Sequence, residues 1–346
     1  MITARGLART FQTRTGPVEA VRGVDIDVAD GEIVGLLGPN GAGKTTTLRM
    51  LTTLITPTAG DATIAGHDLR LDPRGVRSGI GYVPQGGSTG DDGVVMDELI
   101  LQARLFRLSK ADARRSATEL LGSLDLNGLD ERTCKQLSGG QRRRVDIALG
   151  LVHRPGLVFL DEPTTGLDPQ SRANLWDHIR DLRARGTTIV ITTHYLDEAD
   201  ALCDRILVMD HGTVVAEGTP DELKRRISGD IITLDLDHAD AGDAETVVRV
   251  AEKAVAVRSS IAEHGRIHLT VEHGDQSVIP LLRALDGAGV TPGALTVKRP
   301  SLDDVFLAIT GRSLRDAEQH PDPARTDPAQ TEPTEAGAAA TSSPNH

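Results

Sequence analysis

The run Gly38-Pro39-Asn40-Gly41-Ala42-Gly43-Lys44-Thr45 constrains this chain more than any other stretch, because a Gly-x4-Gly-Lys-Thr string works only between a strand and a helix. It follows the β-branched run Ile33-Val34-Gly35-Leu36-Leu37 and precedes a helical run through Leu48 and Leu51. Glycines let successive backbone N–H groups wrap a phosphate chain. Lys44 would reach the β- and γ-phosphate oxygens, Thr45 would place its hydroxyl on Mg²⁺, and the helix N-terminus would add partial positive charge. The bland alternative is a plain glycine-rich turn.

Short β-branched runs continue to alternate with helical patterns from residue 1 to 229, the rhythm of a mostly parallel, covered sheet. Leu157 to Leu160 and Thr188 to Thr192 are further strands of that kind. Over about 86–136 the pattern becomes Leu/Arg/Ala-rich and helical behind the Gly/Asp-rich entry Gly86 to Gly93, so a helical insertion on the sheet core is expected. Arg205 to Met209 and Thr213 to Glu217 form a hairpin across Asp210-His211-Gly212. Thr219-Pro220-Asp221-Glu222 then opens a closing helix.

Residues 230–311 read as a small α/β domain, with strands Ile231 to Leu236, Arg266 to Val271 and Leu295 to Lys298 and helices Ala244 to Ala254 and Val278 to Leu285. Its last helix starts at Ser301, with Leu302, Val305, Phe306 and Ile309 on one face. The tail 312–346 is Pro-, Thr- and Ala-rich and lacks apolar periodicity, so it is expected to be disordered. A length of 346 residues suits this two-domain reading.

Composition removes several classes of function. The chain has 38 Lys plus Arg against 50 Asp plus Glu, a net charge of -12, which disfavours non-specific nucleic-acid binding. No window approaches the roughly 18 uninterrupted apolar residues of a membrane span, and the first residues lack the apolar core of a signal peptide. A soluble, intracellular chain is expected. Cys134 and Cys203 are too few and too far from other ligands for a zinc site or a disulfide framework.

Two more segments carry chemistry. Leu157-Val158-Phe159-Leu160-Asp161-Glu162 is an apolar strand that ends in two acids. Alone it reads as a polar strand end. Beside a phosphate loop, Asp161 becomes the Mg²⁺ acid and Glu162 the group that polarises an attacking water. In Leu137-Ser138-Gly139-Gly140-Gln141, Ser138 and Gln141 make a capping box, and two glycines expose the N–H groups of the helix that follows. Arg142, Arg143 and Arg144 sit in its first turn, where cations oppose the macrodipole. They fit either a solvated or partner-contacting face or a second phosphate-binding helix start.

With these motifs the first domain resembles the ATP-binding subunit of ABC transporters, a P-loop NTPase core with a helical insertion. In that resemblance Gly38 to Thr45 is the Walker A loop, Gln85 the Q-loop residue, Leu137 to Gln141 the signature and Leu157 to Glu162 Walker B. Gly166-Leu167-Asp168 matches the D-loop and His194 the switch histidine. Phe11 holds the place of the aromatic that stacks on adenine, though many members carry Tyr there. The stretch Gly35 to Thr47, with Ser301-Leu302-Asp303-Asp304-Val305-Phe306-Leu307, narrows the resemblance to the daunorubicin/doxorubicin resistance ATPases.

The resemblance implies ATP and Mg²⁺ as ligands. ATP would be bound by Phe11, Gly38, Pro39, Asn40, Gly41, Ala42, Gly43, Lys44, Thr45, Thr46, Gln85, Ser138, Gly139, Gly140, Gln141 and Asp168, and the metal held by Thr45, Gln85 and Asp161. Glu162, His194 and Lys44 would be catalytic, with His194 on the γ-phosphate. It also implies a head-to-tail homodimer, in which Ser138, Gly139 and Gly140 complete the site on the partner's Lys44, and a separate integral membrane permease. The implied activity is ATP hydrolysis driving export of lipophilic compounds such as antibiotics, at the cytoplasmic side of the cell membrane. An importer ATPase, a non-transport ABC ATPase acting on ribosomes or chromosomes, and a P-loop kinase are the competing readings.

Overall fold

The computed structural model describes residues 1–14, 16–227, 229–235, 241–263, 266–290, 293–298 and 301–310; the expected tail 312–346 lies outside them. The chain opens with β1 (Ile2–Thr13), β2 (Gly16–Val28), β3 (Ile33–Leu37), α1 (Lys44–Leu51), β4 (Ala59–Ile64), β5 (His67–Asp68), α2 (Pro73–Gly79) and β6 (Ile80–Val83). Three helices follow, α3 (Val95–Leu105), α4 (Lys110–Ser123) and α5 (Gly139–Leu151). Then come β7 (Leu157–Asp161), α6 (Pro169–Ala184), β8 (Thr188–Thr193), α7 (Leu196–Leu202), β9 (Arg205–Asp210), β10 (Thr213–Gly218) and α8 (Pro220–Ile227).

The central sheet runs β10-β9-β3-β8-β7-β6, with β9, β3, β8, β7 and β6 parallel. Its strands are apolar on both faces because both faces are covered. Ile33, Leu37, Val158 and Leu160 face one core together with α5 and α6, while Val34, Leu36, Leu157 and Phe159 face another formed with α1 and the antiparallel sheet β2-β1-β4-β5. Full burial of such side chains stabilises the fold by about 1.5–3 kcal/mol each. In a parallel sheet covered this way, the strand C-terminal ends open on one crevice. The loops after β3, β6, β7 and β8 therefore meet there.

The insertion packs α3 and α4 on α5, and a bridge from Val94 to Thr133 closes its entry. The hairpin is tighter than the three-residue connection expected from sequence. Thr213 pairs with Asp210, so the turn is only His211-Gly212, both at positive φ (48° and 78°). That is the primed two-residue turn whose twist suits paired strands.

Beyond residue 229 come β11 (Asp230–Asp235), α9 (Ala241–Ala254), β12 (Val257–Glu263), β13 (Arg266–Val271), α10 (Gly274–Gly287), β14 (Ala294–Lys298) and α11 (Leu302–Thr310). The sheet order β12-β13-β11-β14, antiparallel throughout, is the split βαβ arrangement. Ile232, Leu234, Ile267 and Leu269 pack one face against α9 and α10. Chain order groups α11 with this sheet. Its buried Leu302, Val305 and Phe306 instead join the core of the central sheet, against α7 and α8.

Candidate active site

The phosphate loop owes its path to residues that have no Cβ. A Cβ on Gly38 would lie 2.2 Å from the Met209 carbonyl oxygen, and Gly43 sits at φ 100° with room for no side chain beside the Ala20 carbonyl. Gly38, Pro39, Ala42, Gly43, Lys44 and Thr46 are buried, whereas Asn40 and Gly41 reach solvent at the loop tip. The Lys44 ammonium curls back to donate to the Gly38 and Pro39 carbonyls, at 2.7 and 3.0 Å. An amine held inside the loop in this way is placed where a phosphate chain would lie.

Glu162 is the centre of the constellation. It directly follows β7 at φ 43°, a left-handed conformation that costs a non-glycine residue energy and is kept where the surroundings enforce it. The enforcement is visible: its N–H donates to the Thr192 carbonyl and faces the Thr192 hydroxyl. Its carboxylate accepts from Gln85 Nε2 at 2.8 Å and Thr165 Oγ1 at 3.2 Å, and stands 3.8 Å from Lys44 Nζ and 3.3 Å from His194 Nδ1. Burial pushes this carboxyl up, but the His194 ring nitrogen and the Lys44 charge beside it outweigh burial and hold the group below the usual carboxylate range. It is ionised at neutral pH.

Asp161 is 1% exposed, and its carboxylate accepts from two hydroxyls, Thr192 Oγ1 at 2.6 Å and Thr45 Oγ1 at 3.0 Å. Burial raises its pKa, against the pull of those hydroxyls. A buried carboxylate beside a threonine hydroxyl is a hard-oxygen donor set, which suits Mg²⁺. No three His, Cys, Asp or Glu side chains converge as a protein cage among the described residues. A small cation held by Asp161 and Thr45, with Gln85 nearby, would leave room for phosphate and water ligands, as Mg²⁺ commonly does.

The remaining sequence candidates fall into four positions. Gln85 and His194 stand against Glu162, and the His194 ring lies 4.1 Å from that of Tyr195. Phe11 lies on β1 with the Arg9 guanidinium 4.6 Å over its ring, so one face of that aromatic already carries a cation. Ser138, Gly139, Gly140 and Gln141 open α5, where the Ser138 and Gln141 side chains cap each other's N–H groups.

Asp168 is engaged as the N-cap of α6, accepting from Ser171 N and Ser171 Oγ at 2.9 and 2.7 Å. These bonds hold its pKa down. The capping residue therefore needs no ligand to explain its place, although Gly140 approaches Ser171 so closely that a Cβ would lie 2.8 Å from its hydroxyl.

Of the three arginines of α5 only Arg143 is buried, while Arg142 and Arg144 stay half-exposed and bond within the chain. Arg142 bonds Thr89 and pairs with Asp91, and Arg144 reaches the Leu124 carbonyl. Arg143 is buried and donates to backbone carbonyls of Pro84, Asp161, Glu162 and Pro163. No motif flags this residue; a charge run shows composition, and only packing shows which member goes inside.

Residues 21–165 match the ABC transporter family, and residues 218–310 match the C-terminal domain of DrrA1-3-like ATP-binding proteins. The daunorubicin resistance ATP-binding protein DrrA2 of Streptomyces coeruleorubidus is 41% identical over 90% of this chain and 96% of its own length. The Nod factor export ATP-binding protein I of Burkholderia orbicola is 38% identical over 89% and 97%. Among solved structures, the dimeric post-hydrolysis state of the ATP-binding cassette MJ0796 with ADP and Pi superposes with a TM-score of 0.59 at 26% identity, covering 63% of this chain and 98% of that one.

Proposed function

The chain belongs to the ABC transporter family as an ATP-binding and ATP-hydrolysing subunit of the drug-resistance export type, and from that premise we propose how its own residues do the work. Gly38 to Thr46 cradle the phosphates, with Lys44 on the β- and γ-oxygens and Phe11 against the base. Thr45 and Asp161, with Gln85 beside them, would hold Mg²⁺, which supplies Lewis-acid polarisation of phosphate oxygens when bound. Glu162 takes a proton from the attacking water, a role worth about 10²–10⁴ in rate. His194 holds that carboxylate in place and stabilises charge on the γ-phosphate side.

The carrying observation is the convergence of Lys44, Gln85, Thr165 and His194 on one Glu162 carboxylate. Four elements of the crevice thereby set the position and charge of the general base.

Ser138 and Gly139 are exposed at the start of α5, where first-turn N–H groups lack helical partners. In the proposed homodimer they close over the nucleotide held by the partner copy, an arrangement in keeping with the dimeric cassette described above. No described helix is long and apolar enough to cross a membrane, so transport calls for a separate permease. Leu101 and Leu105, one turn apart on α3 and 57% and 70% exposed, offer an apolar seat for it. The chain would then lie peripherally on the cytoplasmic side of the membrane. The names of the relatives, daunorubicin resistance and Nod factor export, favour a lipophilic small molecule as cargo.

Residues 1–229 would work as the motor, and the domain from 230 as an accessory. The test is Mg²⁺-dependent ATP hydrolysis by the purified chain and by Glu162→Gln, with solution mass measured in ATP. Turnover in the wild type, its loss in the variant and an ATP-dependent dimer of that variant are expected. A variant that hydrolyses normally and stays monomeric in ATP would overturn both the general base and the shared site.

A further inference from the structure

We propose that Arg143 is a positioning residue for hydrolysis: its guanidinium locks the start of α5 to the two strand ends that carry Gln85 and Glu162. This rests on the reading of Glu162 given above. The side chain is 7% exposed. Nη1 donates to the Pro84 carbonyl at 2.7 Å, Nε to Pro163 at 2.8 Å, and Nη2 to Asp161 at 3.0 Å and Glu162 at 3.5 Å. Pro84 directly precedes Gln85 at the end of β6, and the other three carbonyls are the exit of β7.

The residue type fits the task. Carbonyls from two separate strand ends need donors that diverge in one plane, which a guanidinium provides and an ammonium does not. Burying that charge is costly, and an arginine with no function beyond packing would be replaced at little loss by an apolar side chain. Asp146, Asp161 and Glu198 lie close enough to offset part of the cost.

Arg142 and Asp146, near Arg143 on α5, bond the loop and not the β7 exit, while Arg144 donates to the Leu124 carbonyl. Arg142 bonds the Thr89 hydroxyl and carbonyl, and Asp146 accepts from Ser88 N at 2.8 Å. Residues 84–91 and the first turns of α5 are therefore one unit. Arg143 alone of the three also reaches the β7 exit. The loop that Arg142 and Asp146 bond, directly behind the signature Ser138 to Gln141 on α5, is thus tied through a single side chain to the backbone that sets Glu162 at φ 43°. A displacement of α5 when the signature meets a nucleotide would be passed to the general base.

The experiment compares steady-state kcat and the KM for ATP of the full chain with Arg143→Gln and Arg143→Lys, alongside Glu162→Gln. Misplacing a catalytic group by about 1 Å can cost on the order of 10²-fold. Arg143→Gln should lose at least about tenfold in kcat with the KM for ATP within about twofold, and Arg143→Lys should recover part of the loss. If Arg143→Gln does not fold, Arg143→Lys, which keeps the charge but not the fork, decides: reduced kcat at unchanged KM supports the proposal, and wild-type kcat overturns it. A parallel fall in ATP affinity, with no recovery by Lys, would also overturn it by making the role merely structural. Wild-type turnover in Glu162→Gln would instead sink the reading of the site itself.

Discussion

The two sheets of this molecule treat charge in opposite ways. In the parallel sheet region, Lys44, Arg143, Asp146, Asp161, Glu162 and Glu198 are all buried, and most sit where strands end on the crevice. In the antiparallel sheet β12-β13-β11-β14, every described core residue is apolar, and its polar pairs lie outside the core, as with Thr233 and His268 or Arg266 and Asp235. Buried ionised groups are costly unless paired. In the proposed mechanism Lys44, Asp161 and Glu162 of the first region serve the chemistry, and the second region, with no such groups in its described core, would serve as a frame.

The comparison breaks if the frame turns out to be chemical. Lys44→Ala removes the amine that lies within the phosphate loop, and turnover should fall by more than about 10²-fold, a loss of the size seen when one transition-state donor is deleted. Chelation of Mg²⁺ should do the same to the wild type, since the Asp161 and Thr45 oxygens alone do not polarise phosphate. Leu234→Ala, in the apolar core of the second sheet, should cost about 2–5 kcal/mol in the unfolding of that region. Turnover per folded chain should stay within about twofold. A Leu234→Ala chain that melts locally and also stops hydrolysing ATP would show that the frame holds the crevice together.

A smaller effect tests the seam between the regions. Phe306 is fully buried, and α11 packs on α7, which begins two residues after His194. Phe306→Ala leaves a cavity that costs about 3–5 kcal/mol if α11 stays docked. Undocking would release it at lower cost, and amide exchange over 302–310 would then rise far above that of α7. Equal exchange in variant and wild type would mean that the helix is held by something other than its aromatic anchor.

Sequence made the crevice legible because its chemistry restricts residue types at fixed spacing: the glycines and Lys44, the acids that end β7, and the polar residues at the ends of β6 and β8. It was silent where identity depends on packing. Val257 to Glu263 forms an edge strand whose serines and charges gave no strand pattern. Arg143 could not be told from Arg142 and Arg144. Asp168 is accounted for as a helix cap, a role any Asp before Pro-Gln-Ser can take. The placement of α11 could not come from its periodicity either, since an amphipathic face shows that a helix must bury one side but not against which neighbour.

The smallest prediction sharpens how α11 is held. Asp304 accepts from the Ser301 N–H and hydroxyl at 2.8 and 2.7 Å, and donates its own N–H to Ser301 Oγ. The Ser301 backbone bond lowers the Asp304 pKa below its ordinary 3.8, against partial burial, with help from the Ser301 hydroxyl and the Lys298 charge. A carboxyl depressed in the folded state stabilises above its unfolded pKa, and that stabilisation is lost as pH falls through the folded value. The cap should therefore hold at pH 7 and weaken below pH 3.8. Asp304→Asn should cost about 1 kcal/mol at neutral pH, the usual worth of a capping interaction, and the gap between variant and wild type should close in acid. Amide exchange in α11 across that range reads it directly. An Asn variant that matches wild type at pH 7 would place the stability of the helix in Leu302, Val305 and Phe306 alone, and would leave the seam an apolar contact with no electrostatic component.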